Sequence, residues 1–384
     1  MKKEQIEFLN LLRDYINDIK GEYYFENWDI VAEYARKHQV EAIMYIQTKN
    51  PLFRSSFAIQ LFCSTERSYR INELKSILKG IDYIILKGEE IAKFYPNPEL
   101  RTMGDIDVLI KEKDRNYVDI KLKQENYIFL GSWKKEWKYR KGSLLLEVHT
   151  DMIHYSTGKE KAERYFTNVW NYYYDEKLDW NFHFLFLIQH LKEHFVGAEV
   201  GFRQFMDIAI ITKSSYGESY NILDLDWKWI ENQLKEVDLL GFAQTVFAFN
   251  ERWFDVDSPF VTQSISEDFF EEASSKIFED GIYGCSISEN DREISRRMYY
   301  EKLSVGKAKW KYRLEEIFPK FEEICKVPYC SYVKNNKVLL PIAWIHRIFY
   351  NLFSIKSIPI SKKPLHHSNE KAEEQNAFLY KWGL

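Results

Sequence analysis

The sequence predicts an α+β fold, a small mixed sheet flanked by an N-terminal and a C-terminal helical region. Three observations carry this expectation. Apolar residues recur at helical spacing before residue 80 and again after residue 160. Between these stretches, short β-branched runs alternate with short helical patterns and then follow one another directly: strand, helix, strand, helix, antiparallel strands. The chain also carries 27 Phe, 26 Tyr and 11 Trp against 15 Gly and 9 Pro in 384 residues, a balance that suits a helix-rich core. The expected organisation is a helical region over 1–80, a sheet core over 81–160, a helical region over 161–356 and a polar tail over 357–384.

Taken in order, Ile6, Leu9, Leu12 and Ile16 mark a first helix. A weaker stripe through Ile30, Val31, Tyr34 and Ala35, then Val40, Ile43 and Met44, breaks near Lys37-His38-Gln39 and reads as one helix or two. Pro51 closes this region. A longer helix follows over 56–79, with Phe57, Leu61, Ile71, Leu74 and Leu78 on its apolar side. Tyr83-Ile84-Ile85-Leu86 reads as a buried strand, ended by Lys87-Gly88, and residues 89–94 as a short helix broken by Pro96 and Pro98. Residues 103–111 form the second strand, and Asp114 is the expected N-cap of a helix over 115–124. Strands at 127–130, 137–140 and 144–149 follow, with Gly142 at a turn. Helices are expected at 182–194, 202–212, 227–235 and 242–253, an acidic solvated helix or loop at 264–280, and helices at 294–300, 307–317 and 341–353. The tail from about residue 357 is polar and expected to be disordered.

Net charge is −4, so a globally basic nucleic-acid binder is not indicated. The cysteines, Cys63, Cys285, Cys325 and Cys330, form no C-x-x-C pair and no zinc-spaced cluster, which points to a reducing compartment. The N-terminus leads into an amphipathic helix, and no charge-free apolar stretch of spanning length occurs. Cytoplasm is therefore the expected location. The helix at 341–353, with Trp344, Ile345, Ile348, Phe349, Leu352 and Phe353, is expected to pack in a core, with peripheral membrane contact as the lesser reading.

The chemistry is concentrated in Arg101-Thr102-Met103-Gly104-Asp105-Ile106-Asp107-Val108-Leu109-Ile110. Successive strand side chains alternate faces, so Asp105 and Asp107 point the same way while Ile106, Val108 and Ile110 point to a core. Two adjacent carboxylates repel unless a cation neutralises them, and an oxygen-rich pair suits Mg²⁺. Lys87-Gly88 precedes this pair at a strand-to-helix turn, and Glu147 follows on a later strand.

This order resembles the polymerase-β-like nucleotidyltransferase superfamily, and more narrowly an uncharacterised bacterial nucleotidyltransferase family with an L-K-G turn, an R-x-M-G-D-x-D segment and an E-x-H strand. Here these read Leu86-Lys87-Gly88, Arg101 through Asp107, and Glu147-Val148-His149. The resemblance continues through His190, His194, Arg203 and Asp207, and more loosely to Phe318-Pro319 and Leu340-Pro341. It implies a nucleotidyltransferase core with Asp105, Asp107 and Glu147 holding two Mg²⁺ ions, or Mn²⁺, that clamp the attacking and leaving oxygens of a nucleoside triphosphate. It gives Lys87 and the Gly88 turn to the triphosphate and places Arg101, His149 and Arg203 at the site. The usual Gly-Ser or Gly-Gly turn is Gly88-Glu89 here, so Glu89 is expected to point away, or phosphate binding to rest on Lys87 and backbone amides. The acceptor and the preferred nucleotide are not specified.

Each residue also has a plainer reading. Asp105 and Asp107 are then solvated strand-edge carboxylates, Glu147 a cross-strand salt bridge, His149 a structural histidine and Lys87 a surface charge. Arg101 pairs with Asp105 or a phosphate, and Arg203 with Asp207 at i, i+4 on one helix. His190 and His194 lack the H-E-x-x-H order of a metalloprotease and read as substrate contacts or a packed pair. Lys134, Lys135, Lys138, Arg140 and Lys141, with Trp133, Trp137 and Tyr139, read as a solvated hairpin ahead of an RNA contact. Rival functions are an Asp-x-Asp glycosyltransferase using a nucleotide sugar, which needs neither Lys87-Gly88 nor Glu147, and a non-catalytic nucleotide-binding module.

Overall fold

The alternation of apolar and polar residues between 83 and 149 becomes a five-stranded mixed sheet in the computed structural model, which describes residues 1–153, 160–216, 222–325, 327–353 and 370–384. The fold is α+β, a small sheet flanked by helices on the chain's N- and C-terminal sides. Before the sheet come α1 (Lys3–Ile16), α2 (Trp28–His38), α3 (Glu41–Thr48) and α4 (Arg54–Ile77). The stripe that broke near residue 38 is two helices. Asn27 caps α2 by accepting the N–H groups of Asp29 and Ile30, and Gln39, at φ 56°, turns the chain out of it.

The core then runs β1 (Tyr83–Leu86), α5 (Gly88–Ala92), β2 (Ile106–Ile110), α6 (Arg115–Gln124), β3 (Ile128–Trp133), β4 (Glu136–Lys141) and β5 (Leu144–His149). The α6 range is the expected one, although the Asp114 side chain makes no capping bond and its residue lies in a preceding 3₁₀ turn. The strand order is β1-β2-β5-β4-β3; β2 and β5 are parallel and the other neighbours antiparallel. Ile106, Val108, Ile110, Leu146, Val148 and Tyr139 pack on Ile71, Leu74 and Leu78 at the end of α4 and on Val118 and Leu122 of α6. That face is dry core, so the opposite face must carry the polar residues of the same strands.

After the sheet come α7 (Lys161–Phe166), a two-stranded ribbon of β6 (Tyr173–Tyr174) and β7 (Lys177–Leu178), α8 (Trp180–Val196), α9 (Phe202–Ser215), α10 (Trp227–Glu236), α11 (Leu240–Phe254) and α12 (Glu267–Asp280). The acidic stretch is thus a helix, and one of its faces is not solvated: Phe270, Ala273, Ile277 and Phe278 are buried. The chain divides into two compact units, 1–286 with 379–384, and 287–378. The sheet core is therefore not a unit by itself but shares one with the helices on both its sides. The second unit contains α13 (Glu289–Glu301), α14 (Val305–Ile317), α15 (Phe321–Ile324), α16 (Leu340–Phe353) and most of α17 (Glu370–Lys381). In it Ala343 of α16 is buried against Ile324, Cys330 and Val333, while Ile342, Ile345 and Phe349 stay exposed, so α16 packs by one face.

The expected polar tail departs from the sequence reading at its end. Residues 354–369 lie outside the described residues, but Glu370–Lys381 is helical and Leu379 and Trp382 are buried. The Trp382 ring sits 4.4 Å from Phe249 and 4.5 Å from Phe195. Phe378, Leu379 and Trp382 are all buried, so this segment has an apolar face of its own to pack with.

Candidate metal centre

Register builds the site. Leu86 pairs with Asp107, Asp107 with Glu147 and Glu147 with Lys138, so one row crosses β1, β2, β5 and β4. One step on, Leu109 pairs with His149. Paired residues share a face, which puts Asp107, Glu147, Lys138 and His149 together on the side opposite the apolar core. Asp107, Glu147 and His149 are all buried, and one ligand atom from each lies within 4.8 Å of the others.

The individual atoms are sorted. His149 Nε2 lies 3.1 Å from Asp107 Oδ1 and 3.8 Å from Glu147 Oε2. The remaining oxygens face lysines: Lys87 Nζ is 3.1 Å from Asp107 Oδ2, and Lys138 Nζ 2.5 Å from Glu147 Oε1 and 2.9 Å from Glu136. The cross-strand salt bridge read as the plain alternative for Glu147 therefore exists, and it uses only one of the two oxygens. Lys138, read as part of a solvated hairpin, belongs to the site. Its hairpin neighbours are engaged elsewhere: Lys135 with Asp151, Lys141 with Glu73, and Lys134 over the Trp133 ring.

Asp105 stands just before β2, half-buried, and is not one of the three converging residues. Burial, then the charge of Asp107, pushes its carboxyl up to about 6, with Lys87 pulling the other way. Burial would discharge the Lys87 ammonium, but Asp107 and Asp105 outweigh it and hold the group charged. The Lys87 backbone is unusual, at φ 56° and ψ −122°, a region that favours glycine. Its N–H donates to His183 Nε2 at 3.2 Å, and its Nζ lies 3.4 Å from His190 Nε2, which in turn is 3.0 Å from His194 Nε2. Burial drives His183 down to about 3, so the ring is neutral and able to accept. Nothing in the local sequence marks His183, since its partner Lys87 lies 96 positions away.

A Cβ at Gly88 would meet Met103 Sδ at 2.6 Å, so a larger residue there requires the Met103 side chain to shift. Arg101 differs from expectation. It reaches neither Asp105 nor open space but binds Asp207 with both terminal geometries of its fork, Nε to Oδ1 at 2.8 Å and Nη2 to Oδ2 at 2.7 Å. Its Nη1 donates to the Gly88 carbonyl at 3.2 Å. The expected Arg203–Asp207 helix pair is replaced, because Arg203 Nη1 donates to Gln39 Oε1 at 2.7 Å and to the Thr102 carbonyl at 2.9 Å. Gln60 and Arg67 of α4 bond the carbonyls of Glu99, Arg101 and Met103. Sequence reasoning missed these supports, since long-range partners leave no spacing signal. Glu89 is half-buried and acts electrostatically on Arg67.

The arrangement can hold a divalent cation. Two carboxylate oxygens and one imidazole nitrogen converge and are buried, with the Lys87 and Lys138 ammonium groups on the outer carboxylate oxygens. A sheet face with such a donor cluster beside a strand-to-helix lysine turn could hold a cation next to an anionic ligand. Over residues 26–255 the sequence matches the family described as an uncharacterised nucleotidyltransferase, and the chain belongs to that family. No curated protein and no solved structure matches it. Among the described residues, no helix is long and apolar enough to cross a membrane.

Proposed function

We propose that this chain is a divalent-metal-dependent nucleotidyltransferase that moves a nucleoside monophosphate from a nucleoside triphosphate to an acceptor. The observation that carries the reading is the convergence of Asp107, Glu147 and His149 on one buried point with the Lys87 ammonium at its edge. An acceptor hydroxyl or phosphate oxygen attacks the α-phosphorus, the bond from that phosphorus to the β-phosphate oxygen breaks, and pyrophosphate leaves. The proton of an attacking hydroxyl passes to a carboxylate of the cluster. A bound cation, Mg²⁺ or Mn²⁺, would supply charge stabilisation for the phosphates and would be held by Asp107 and Glu147, with Asp105 beside them.

The chain's own residues do the rest. Lys87 offers an ammonium that its neighbours keep charged, able to exchange Asp107 for a phosphate oxygen. Arg101, tied to Asp207, fixes the Gly88 carbonyl and so the turn from which Lys87 projects. A glycosyltransferase reading uses neither the Lys87 turn nor Glu147, and both lie against the same aspartate here, which favours nucleotidyl transfer.

The test is calorimetric titration of wild type and Asp107→Ala with each nucleoside triphosphate in the presence of Mg²⁺ or Mn²⁺, followed by pyrophosphate release with a panel of acceptors. Wild type is expected to bind a triphosphate only with a divalent cation, and the variant to lose that binding. Equal binding by both proteins would sink the assignment.

A further inference from the structure

The site's donors differ from an all-carboxylate set, and the difference has a chemical consequence. Asp107 and Glu147 each present two oxygens, and the structure has divided them. Lys87 takes Oδ2 of Asp107 and Lys138 takes Oε1 of Glu147. The oxygens left toward the interior, Oδ1 and Oε2, are those that face His149 Nε2, at 3.1 and 3.8 Å. An ion about 2.1 Å from each of two donors at a right angle separates them by about 3.0 Å. The histidine–aspartate pair already stands at that spacing, and Glu147 Oε2 lies 3.8 Å from His149 Nε2, with a ligand atom of all three residues within 4.8 Å of the others. Asp105, the second residue of the Asp-x-Asp pair, lies outside this trio.

We infer that Asp107, Glu147 and His149 form a mixed oxygen–nitrogen site for one first-row transition cation, of which Mn²⁺ is the probe, and that this site takes such ions in preference to Mg²⁺. The inference rests on reading the cluster as the metal centre of nucleotidyl transfer. Imidazole nitrogen is a ligand that Mg²⁺ uses reluctantly and that Mn²⁺, Co²⁺ and Zn²⁺ accept well. Lys87 and Lys138 orient the carboxylates by holding their outer oxygens, which turns the inner oxygens toward His149. His149 is buried at 2% exposure, so its ring stays with the cluster on the sheet face.

The experiment uses the full chain, stripped of metal by chelation and titrated with Mn²⁺ alone. Loss of the free-ion electron paramagnetic resonance signal reports binding, and Mg²⁺ is added as competitor. Pulsed measurements on bound Mn²⁺ then detect a directly coordinated ¹⁴N. The expected result is ¹⁴N coupling in wild type and a preference for Mn²⁺ of about tenfold or more. His149→Gln, checked for unchanged circular dichroism, is expected to lose the nitrogen coupling and most of the preference. Bound Mn²⁺ without ¹⁴N coupling in wild type overturns the inference, and that measurement needs no variant. Adding a nucleoside triphosphate separates the two readings. Nitrogen coupling without ³¹P coupling upholds the ligand set and counts against nucleotide transfer. Phosphorus coupling without nitrogen coupling overturns the ligand set and leaves nucleotide transfer standing.

Discussion

Replacing Asp207 by Asn should be far more damaging than its distance from the metal centre implies. The side chain keeps its volume, so the change isolates charge. In the native protein Asp207 is 7% exposed and accepts from Tyr95 Oη at 2.7 Å and from Arg101 at 2.8 and 2.7 Å. Two unit charges about 4 Å apart at an effective dielectric near 20 attract by roughly 4 kcal/mol. Breaking a buried pair by removing one partner costs about 3–5 kcal/mol, because the other charge is stranded. Arg101, at 6% exposure, is the stranded charge here. Against a typical stability of about 5–15 kcal/mol this is a large loss. The assay is urea unfolding followed by tryptophan fluorescence, with the midpoint compared at unchanged slope. The double variant Arg101→Met with Asp207→Leu removes both charges and should recover most of the stability. It should not recover triphosphate binding, because the Gly88 carbonyl has lost its donor and the Lys87 turn its brace. A loss below about 1 kcal/mol for Asp207→Asn, or a double variant that binds triphosphate like wild type, would refute the reasoning.

Lys87→Gly sets two effects against each other. Relief of the φ 56° backbone gives back about 1–3 kcal/mol, while loss of the ion pair to Asp107 costs about 3–5, so the metal-free variant should melt lower. Added Mn²⁺ should close part of that gap by replacing the ammonium; equal metal-induced shifts in the melting temperature of both proteins count against it. Stability should also fall in acid. Burial drives His38 and His183 down to about 3 from an ordinary 6.5, so below pH 6.5 the unfolded chain takes up protons that the folded chain refuses. From pH 7 to pH 5 each should cost roughly 2 kcal/mol, read as a lower urea midpoint, and each His→Gln variant should flatten that slope. Trp382→Ala should cost about 3–5 kcal/mol by emptying the space against Phe249 and Phe195, measured by the same unfolding curve.

Most strands and helices were legible because each has its own period. Leu144–His149 and Arg115–Gln124 stand where alternation and helical spacing put them. Pairing was not legible, since nothing local to β2 or β5 says that they run side by side and parallel. The same limit hid the residues that support the site. Lys138 read as surface charge because its partner lies on another strand, and His183 and Asp207 read as helix residues because their partners, Lys87 and Arg101, lie 96 and 106 positions away. The end of the tail was misread for a different reason: it was grouped with the polar residues before it, although Phe378, Leu379 and Trp382 give it an apolar face that is buried.

Which side chains converge on the sheet face follows from one register choice. Asp105-x-Asp107 and Glu147-x-His149 are both two-residue steps along strands, and all four side chains are directed to one face by alternation. Which of them meet depends on the offset between the parallel strands. With Asp107 opposite Glu147, His149 extends the row toward Leu109, and Asp105 is left one step before the Ile106–Leu146 pair, where β2 has not yet begun. A slip of two residues would instead set Asp105 opposite Glu147 and Asp107 opposite His149, and the histidine would lie at the far corner from Asp105. Both registers satisfy the same hydrophobic pattern, because a two-residue shift leaves every side chain on its own face. In the observed register β1 pairs Leu86 with Asp107 and β4 pairs Lys138 with Glu147, so one row of residues crosses all four strands. His149 stands beside Asp107 and Glu147 on that face in this register, and the inferred preference among cations rests on this arrangement.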